Sequence, residues 1–145
     1  MPQPTGRHTG RVEWMDTDAA GHHHNTAVNR FVESAEAALM RERGLHEYFG
    51  SAPRVHLEVD YEARLWFGQE VTTTVVLERV GASSMTFSFE VWGEPFEGRP
   101  RGRAAVGRFT TVHVARGGEG AQPWPADWVT ALEDGPQPWP GRTVS

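Results

Sequence analysis

The hydrophobic periodicity changes from helical to strand-like near residue 53, and this change constrains the fold more than any other feature. Between Thr26 and Arg43 there is no glycine or proline, and apolar residues recur at the spacing of one helical face. That face consists of Val28, Phe31, Val32, Ala35 and Leu39. Asn25 or Thr26 can cap the start, and Gly44 stands where a left-handed C-cap residue belongs. About 18 residues at 1.5 Å each give a helix of roughly 27 Å.

After Pro53, apolar residues alternate with polar ones, which is typical of strands. The predicted strands are residues 55–62, 71–80, 85–91 and 104–115. A further strand is predicted before the helix, from Arg11 to Met15. Consecutive strands joined by short turns favour an antiparallel sheet with the helix packed on one face, an α+β arrangement.

The length of 145 residues is that of one domain, and both ends of the sequence look irregular. Residues 1–10 hold two prolines and two glycines, so we predict a flexible N-terminus followed by a domain over 11–115. Residues 116–145 form a tail rich in glycine, proline and tryptophan, with a short helix signal at 126–132. The motif Q-P-W-P occurs twice, at Gln122–Pro125 and Gln137–Pro140. We interpret its tryptophans as holding an extended tail against the domain.

The composition removes several chemistries. There is no cysteine, which excludes a thiolate nucleophile, a disulfide framework and a thiolate metal site. All 14 basic residues are arginine, which excludes a Schiff-base or phosphate-binding lysine. The net charge of −5 gives no basic surplus for nucleic acid, and no apolar run approaches the ~18 residues of a membrane helix. Because residues 1–10 also lack the apolar segment of a signal peptide, we expect a soluble cytoplasmic protein.

The chemically informative segment lies between the first predicted strand and the helix. Residues 16–25 read D-T-D-A-A-G-H-H-H-N and concentrate two carboxylates and three histidines. The helix start offers unpaired backbone N–H groups and the positive end of the helix dipole, which can stabilise an oxyanion. A carboxylate one loop away can act as a nucleophile or as a general base toward water. These two parts suffice for acyl transfer to water.

The same segment also has structural interpretations. An aspartate in the position of Asp16 is more often a cap or a turn former than a catalytic group. Adjacent residues of an extended segment point to opposite sides, so only His22 and His24 could share a face as metal ligands. Metal sites normally need three or four ligands, so we predict none. A metal-dependent hydrolase built on these histidines remains a third hypothesis.

Three stretches carry a family resemblance. They are V-E-W-M-D-T-D-A-A-G-H-H-H-N-T-A-V-N-R-F-V-E-S-A-E from residue 12, V-D-Y-E-A-R-L-W-F-G-Q-E-V from residue 59, and R-V-G-A-S-S-M-T-F-S-F-E-V from residue 79. Together they resemble hotdog-fold acyl-CoA thioesterases of the 4-hydroxybenzoyl-CoA thioesterase-like family, from about Arg11 to Val114. The resemblance implies a five-stranded antiparallel sheet wrapped around one long central helix, with chains assembled into a homodimer or homotetramer.

The resemblance also implies roles for individual residues. The family's catalytic aspartate matches Asp18, and its oxyanion donor, the backbone N–H at the helix start, matches Asn25. Some members have a histidine where Asn25 stands, so the preceding His24 either contacts the substrate or fills the loop. A helix acid that contacts the acyl group in some members matches Glu33, and a serine near the CoA phosphates matches Ser84.

Other parts of the predicted site stay open. Asn25, Asn29, Glu33 and Glu36 form a polar row at helical spacing, which either faces solvent or lines an acyl pocket. The aromatic candidates for lining that pocket have a core position as their default interpretation. They are Trp14, Trp66, Phe67 and Trp92.

This chain departs from the family at the phosphate-binding turn. Some members carry arginine or lysine at the turn that corresponds to Gly81–Ser83, and this chain has none there. Arg79, Arg101 or Arg103 could substitute. The histidine followed by two glycines that marks the glutamate-dependent hotdog branch is also absent, which favours the aspartate-dependent branch.

The sequence therefore supports one leading hypothesis and a second one ranked below it. The first is hydrolysis of a thioester of CoA, or of acyl carrier protein, to a free acid, with no cofactor. The second is a non-catalytic acyl-CoA binding module that uses the same pocket and does not need Asp18. The resemblance slightly favours an aromatic acyl group over a short or medium aliphatic chain.

Overall fold

The structure, a computed structural model, describes residues 3–17, 25–115, 118 and 120–134. Within these residues the strands are β1 (Thr5–Arg11), β2 (Arg54–Tyr61), β3 (Glu70–Val80), β4 (Ser84–Gly93) and β5 (Gly102–Val112). The α-helices are α1 (Asn25–Glu42) and α2 (Ala126–Asp134). Single 3₁₀ turns lie at Trp14–Asp16 and His46–Tyr48.

The five strands form one antiparallel sheet with the order β1-β3-β4-β5-β2. The three central strands are consecutive in the chain, and β1 and β2 are the two edges. In β4 every second residue is buried, because its apolar positions face the helix side of the sheet. The antiparallel sheet predicted from the alternating runs is confirmed.

Helix α1 packs mainly on β1, β3 and β4. Its predicted apolar face is fully buried, so the periodicity identified the packed side correctly. The helix comes closest to the sheet at Gly6 of β1, where an added Cβ would lie 2.7 Å from the Cβ of Leu39 and would also collide with the carbonyl oxygen of Ala35. Strand and helix can therefore approach only because residue 6 has no side chain.

The first strand lies earlier than predicted. β1 pairs with β3 along its whole length, from Thr5 opposite Val76 to Arg11 opposite Glu70. The prediction of a strand at Arg11–Met15 was wrong, and so was the prediction that all of residues 1–10 are flexible. The glycines and polar residues of this segment resemble a loop in composition. At an edge they are compatible with a strand, because the backbone of β3 supplies the pairing.

The segment before α2 closes one end of the sheet. The backbone N–H of Trp124 donates to Ala82 O at 3.0 Å, and the N–H of Gln122 donates to His113 O at 2.8 Å. Trp124, Trp128 and Leu132 are buried in the main core. The first Q-P-W-P motif is thus packed on the domain, whereas the second lies outside the described residues. Neither helix of the described part is long and apolar enough to cross a membrane.

Candidate active site

The predicted catalytic segment is described only at its two ends. Asp18 and His24 lie outside the described residues, and their predicted roles stay predictions. Asn25 is the first residue of α1. Its backbone N–H therefore belongs to the first turn, where the helix itself provides no acceptor.

Asp16, the first acid of the segment, is buried and tied to α1. Its exposed fraction is 5%. The backbone N–H of Glu13 donates to Asp16 Oδ2 at 2.8 Å, Arg30 Nε donates to Oδ1 at 3.0 Å, and Arg30 Nη2 also bonds Oδ2. Arg30 Nη2 further contacts the carbonyl oxygen of Arg11 at 3.3 Å. The interpretation of Asp16 as a turn former is confirmed, but nothing in the sequence indicates its partner 14 residues away.

Apolar side chains next to this turn are exposed. The exposed fraction is 79% for Trp14 and 54% for Phe67. The default interpretation of these two residues as core residues is therefore wrong. Trp66 and Trp92 are half-buried. Since the backbone N–H of Gly68 donates to Val12 O at 2.9 Å, Trp66 and Phe67 lie near the same end of the sheet as Asp16.

Further along α1, a cavity of about 310 Å³ lies beside the predicted acyl-contacting residue Glu33. Glu36 lines this cavity and is buried. The hydroxyl of Tyr48 donates to Glu36 Oε2 at 2.5 Å and lies 3.2 Å from Thr111 Oγ1, while Arg54 Nη2 is 2.9 Å from Glu36 Oε1. The polar row of α1 is therefore divided, because Glu33 is exposed and Glu36 is held inside by a tyrosine and an arginine.

Burial dominates the electrostatics of this cluster. It raises the pKa of the Glu36 carboxyl, against the opposing influence of Arg54 and of the hydrogen bond from Tyr48. Burial, with the nearby Glu36 carboxylate, also raises the pKa of Tyr48, so its hydroxyl remains a donor at neutral pH.

Glu36 is expected to make stability depend on pH. Because its pKa is raised in the folded state, this carboxyl stabilises the fold fully below its ordinary pKa of 4.5, and the contribution is lost as pH rises through the folded pKa. We expect Glu36→Gln to remove this decrease in the free energy of unfolding with rising pH. The pH profile is measured by urea denaturation. Glu42→Gln, at an exposed position of the same helix, is the control and should keep the wild-type profile. An unchanged profile for Glu36→Gln would contradict the assignment.

Two of the three candidate phosphate-binding arginines are already paired. Arg103 donates to both carboxylate oxygens of Glu62, from Nε at 2.6 Å and from Nη2 at 3.0 Å. Arg101 Nε donates to Glu94 at 2.8 Å. Arg79 is exposed near the end of β3. Binding of a phosphate by either paired arginine would therefore compete with an existing carboxylate.

Ser84 lies at the opposite end of the sheet from Asp16. Arg11, just before the turn that holds Asp16, pairs with Glu70 at the start of β3, and that end of β3 pairs with the end of β4 at Gly93. Ser84 begins β4, which has 10 residues and so extends over roughly 33 Å. Within one chain, the structure does not bring Ser84 to the start of α1.

In the described part of the chain, no group of three or more histidine, aspartate or glutamate side chains is arranged to hold a metal ion. The candidate ligands His22 and His24 lie outside that part.

The sequence matches the model of the thioesterase-like superfamily over residues 12–132. This match covers most of the chain, so the chain belongs to the thioesterase-like superfamily, and the resemblance identified in the sequence is confirmed. No protein with curated annotation matches significantly.

Solved thioesterase structures share the fold over nearly their whole length. A predicted thioesterase from Bacillus stearothermophilus has 25% identity and a TM-score of 0.75, covering 90% of this chain and 96% of its own. A thioesterase from Thermus thermophilus complexed with coenzyme A and Zn has 23% identity and a TM-score of 0.77, covering 92% and 94%. A 4-hydroxybenzoyl-CoA thioesterase in complex with 4-hydroxybenzoyl-CoA, with one aspartate mutated to asparagine, has 16% identity and a TM-score of 0.78, covering 89% and 99%.

Proposed function

We propose that the protein hydrolyses an acyl-CoA thioester to a free acid and CoA. The observation that carries this proposal is the start of α1 at Asn25, directly after a carboxylate-rich segment, in a member of the thioesterase-like superfamily. Two of the structural neighbours are complexes with coenzyme A or with an acyl-CoA, which supports a CoA thioester as substrate.

In the proposed mechanism, the thioester carbonyl lies against the first turn of α1, where the backbone N–H of Asn25 stabilises the developing oxyanion. Asp18 either attacks the carbonyl carbon or removes a proton from an attacking water. The C–S bond then breaks and CoA leaves as a thiolate that takes up a proton. If Asp18 was the nucleophile, water then hydrolyses the mixed anhydride it has formed with the acyl group, which releases the free acid and restores the carboxylate. His24, next to the helix start, is proposed to contact the substrate.

Glu33 is proposed to contact the acyl group. It lies eight residues after Asn25 on α1, which is about 12 Å along the helix axis. It also lines the cavity that holds Glu36. An acyl group that extends from the helix start along α1 would reach this residue.

The edge strand β2 supports assembly with a second copy of the chain. Leu57 pairs with Phe109 and Tyr61 pairs with Ala105. Both partners are buried, and paired residues share a face of the sheet, so Leu57 and Tyr61 are on the core side. Yet 40% and 46% of their surfaces are exposed, because α1 packs mainly on the other strands. We propose that a second chain covers this apolar strip, so that α1 becomes the central helix of a hotdog dimer.

A dimer would also explain the position of Ser84. If two β2 strands pair antiparallel about a twofold axis, the ends of the two sheets are reversed relative to each other. The Ser84 end of one chain then lies on the same side of the dimer as the α1 start of the other. Ser84 is therefore proposed to approach the CoA phosphates of a site whose Asp18 belongs to the other chain.

Light scattering is expected to give a mass of at least twice the 16.1 kDa of one chain. Leu57→Asp should shift the protein toward the monomer, because it places a charge in the apolar strip. Thr9→Asp, at an exposed position of the other edge strand, β1, is the control and should leave the mass unchanged. A wild-type monomer would contradict a site shared between two chains.

The function is tested by thiol release from a panel of aromatic and aliphatic acyl-CoA substrates, with kcat/KM measured for each. Hydrolysis of at least one of them is expected. Tight acyl-CoA binding without thiol release would favour the non-catalytic binding module. If only thioesters of acyl carrier protein are hydrolysed, the substrate is carried by that protein and not by CoA. Activity that is lost on chelation, together with bound metal found by elemental analysis, would favour the histidine-based hydrolase. The expected cytoplasmic location stays a prediction.

A further inference from the structure

Local hydrogen bonds fix the backbone conformation of residues 13–17, which directly precede Asp18. The turn at Trp14–Asp16 ends at Thr17, whose backbone N–H donates to Trp14 O at 3.1 Å. The hydroxyl of Thr17 donates to the same oxygen at 2.7 Å. The backbone N–H of Glu13 is in turn bonded to the Asp16 carboxylate. Residue 18 therefore follows a short segment whose conformation is fixed by several local bonds.

The same carboxylate connects this turn to the helix that follows. Arg30, in the second turn of α1, donates through Nε and Nη2 to the two oxygens of Asp16. Such a two-point pair fixes orientation as well as distance. The two flanks of residues 18–24 are thus joined directly by one ion pair, which we call the Asp16–Arg30 clamp.

We propose that Asp16 and Arg30 are positioning residues for thioester hydrolysis. This inference rests on the proposed function, since the clamp would set the distance between the Asp18 carboxylate and the N–H groups at the start of α1. Reaction rates depend steeply on such distances, and a misplacement of about 1 Å can cost roughly 10²-fold. A clamp that joins both flanks of the segment is suited to control that distance.

A purely stabilising role accounts less well for the clamp. Burying a carboxylate is costly, and an ion pair whose arginine is 40% exposed, as Arg30 is, adds little stability by itself. The Asp16 carboxylate accepts two bonds from Arg30 and one from the backbone N–H of Glu13, so its orientation is fixed close to residue 18.

The experiment compares kcat and KM of wild type, Asp16→Asn, Arg30→Gln, Arg30→Lys and the Asp16→Asn/Arg30→Gln double variant. We expect Asp16→Asn and Arg30→Gln to lower kcat by about 10- to 100-fold with KM changed by less than about 3-fold. Arg30→Lys keeps the positive charge but loses the planar guanidinium that donates through two nitrogens, so an intermediate kcat is expected. The double variant should be no slower than the slower single variant, because the two residues act as one unit.

Arg43→Gln is the matched control. Arg43 lies just past the other end of α1, and its Nη1 donates to Leu132 O at 2.6 Å. Its replacement should lower the free energy of unfolding and leave kcat within about 2-fold of wild type, because this bond joins α1 to α2, away from the clamp.

The outcomes separate the two proposals. Wild-type kcat in folded Asp16→Asn and Arg30→Gln would overturn the positioning role and leave the proposed function intact. If either variant fails to fold, Arg30→Lys decides, and a wild-type kcat there overturns the role. A wild-type protein that releases no thiol from any substrate would overturn the proposed function, and the positioning role with it.

Discussion

Asp18→Asn is expected to lower kcat for acyl-CoA hydrolysis by at least ~10²-fold. An asparagine of nearly the same shape cannot accept a proton from water and is a poor nucleophile, so both candidate roles of Asp18 are lost together. KM should change much less, because the oxyanion donors and the acyl contacts remain. Thiol release measured under saturating substrate checks this, and single-turnover kinetics checks whether the chemical step is the one that slows.

The matched control for this variant is Asp127→Asn in α2. Asp127 is exposed in the first turn of that helix, and no proposed contact with the substrate involves it. Its kcat should stay within about 2-fold of wild type. If Asp18→Asn hydrolyses acyl-CoA at the wild-type rate, then Asp18 is neither nucleophile nor base, and another group must be found.

The sequence predicted most regular elements well because their packing follows simple periodicity. Helix α1 begins and ends within one residue of the prediction, since its apolar face contacts the sheet along its length. Strands β2 to β5 also lie within three residues of their predicted bounds. β1 was misplaced because it owes its position to pairing with β3 and to the close approach of α1 at Gly6. Neither feature leaves a periodic pattern.

The sequence singles out a candidate segment but not the contacts that its residues make. The order of acid, loop and helix start is visible in the chain, so residues 16–25 could be singled out. The pairing of Asp16 with Arg30 and the burial of Glu36 depend on which side chains the fold brings together. A charged residue on a helix looks the same in sequence whether it faces solvent, as Glu33 does, or a buried tyrosine and arginine, as Glu36 does.

Trp124→Ala is expected to have the largest effect on stability, lowering the free energy of unfolding by about 3–4 kcal/mol. Trp124 is only 6% exposed. Its ring stacks on His113 at a centroid distance of 5.2 Å and lies 6.2 Å from the ring of Tyr48. Alanine would leave a large cavity between the end of β5 and α2, and the packing of α2 would weaken with it. Urea denaturation followed by circular dichroism measures the change, and a Tm lower by roughly 10 °C should accompany it.

Trp14→Ala is the control, because the same atoms are removed from a side chain that is 79% exposed. Its free energy of unfolding should stay within about 0.5 kcal/mol of wild type. A Trp124→Ala variant as stable as Trp14→Ala would show that the first Q-P-W-P motif does not hold the C-terminal segment on the domain. A large loss for Trp124→Ala alone would assign this stabilising role to the buried tryptophan of the motif. Because Tyr48 also donates to Glu36, the loss of Trp124 should in addition loosen the cavity beside Glu33.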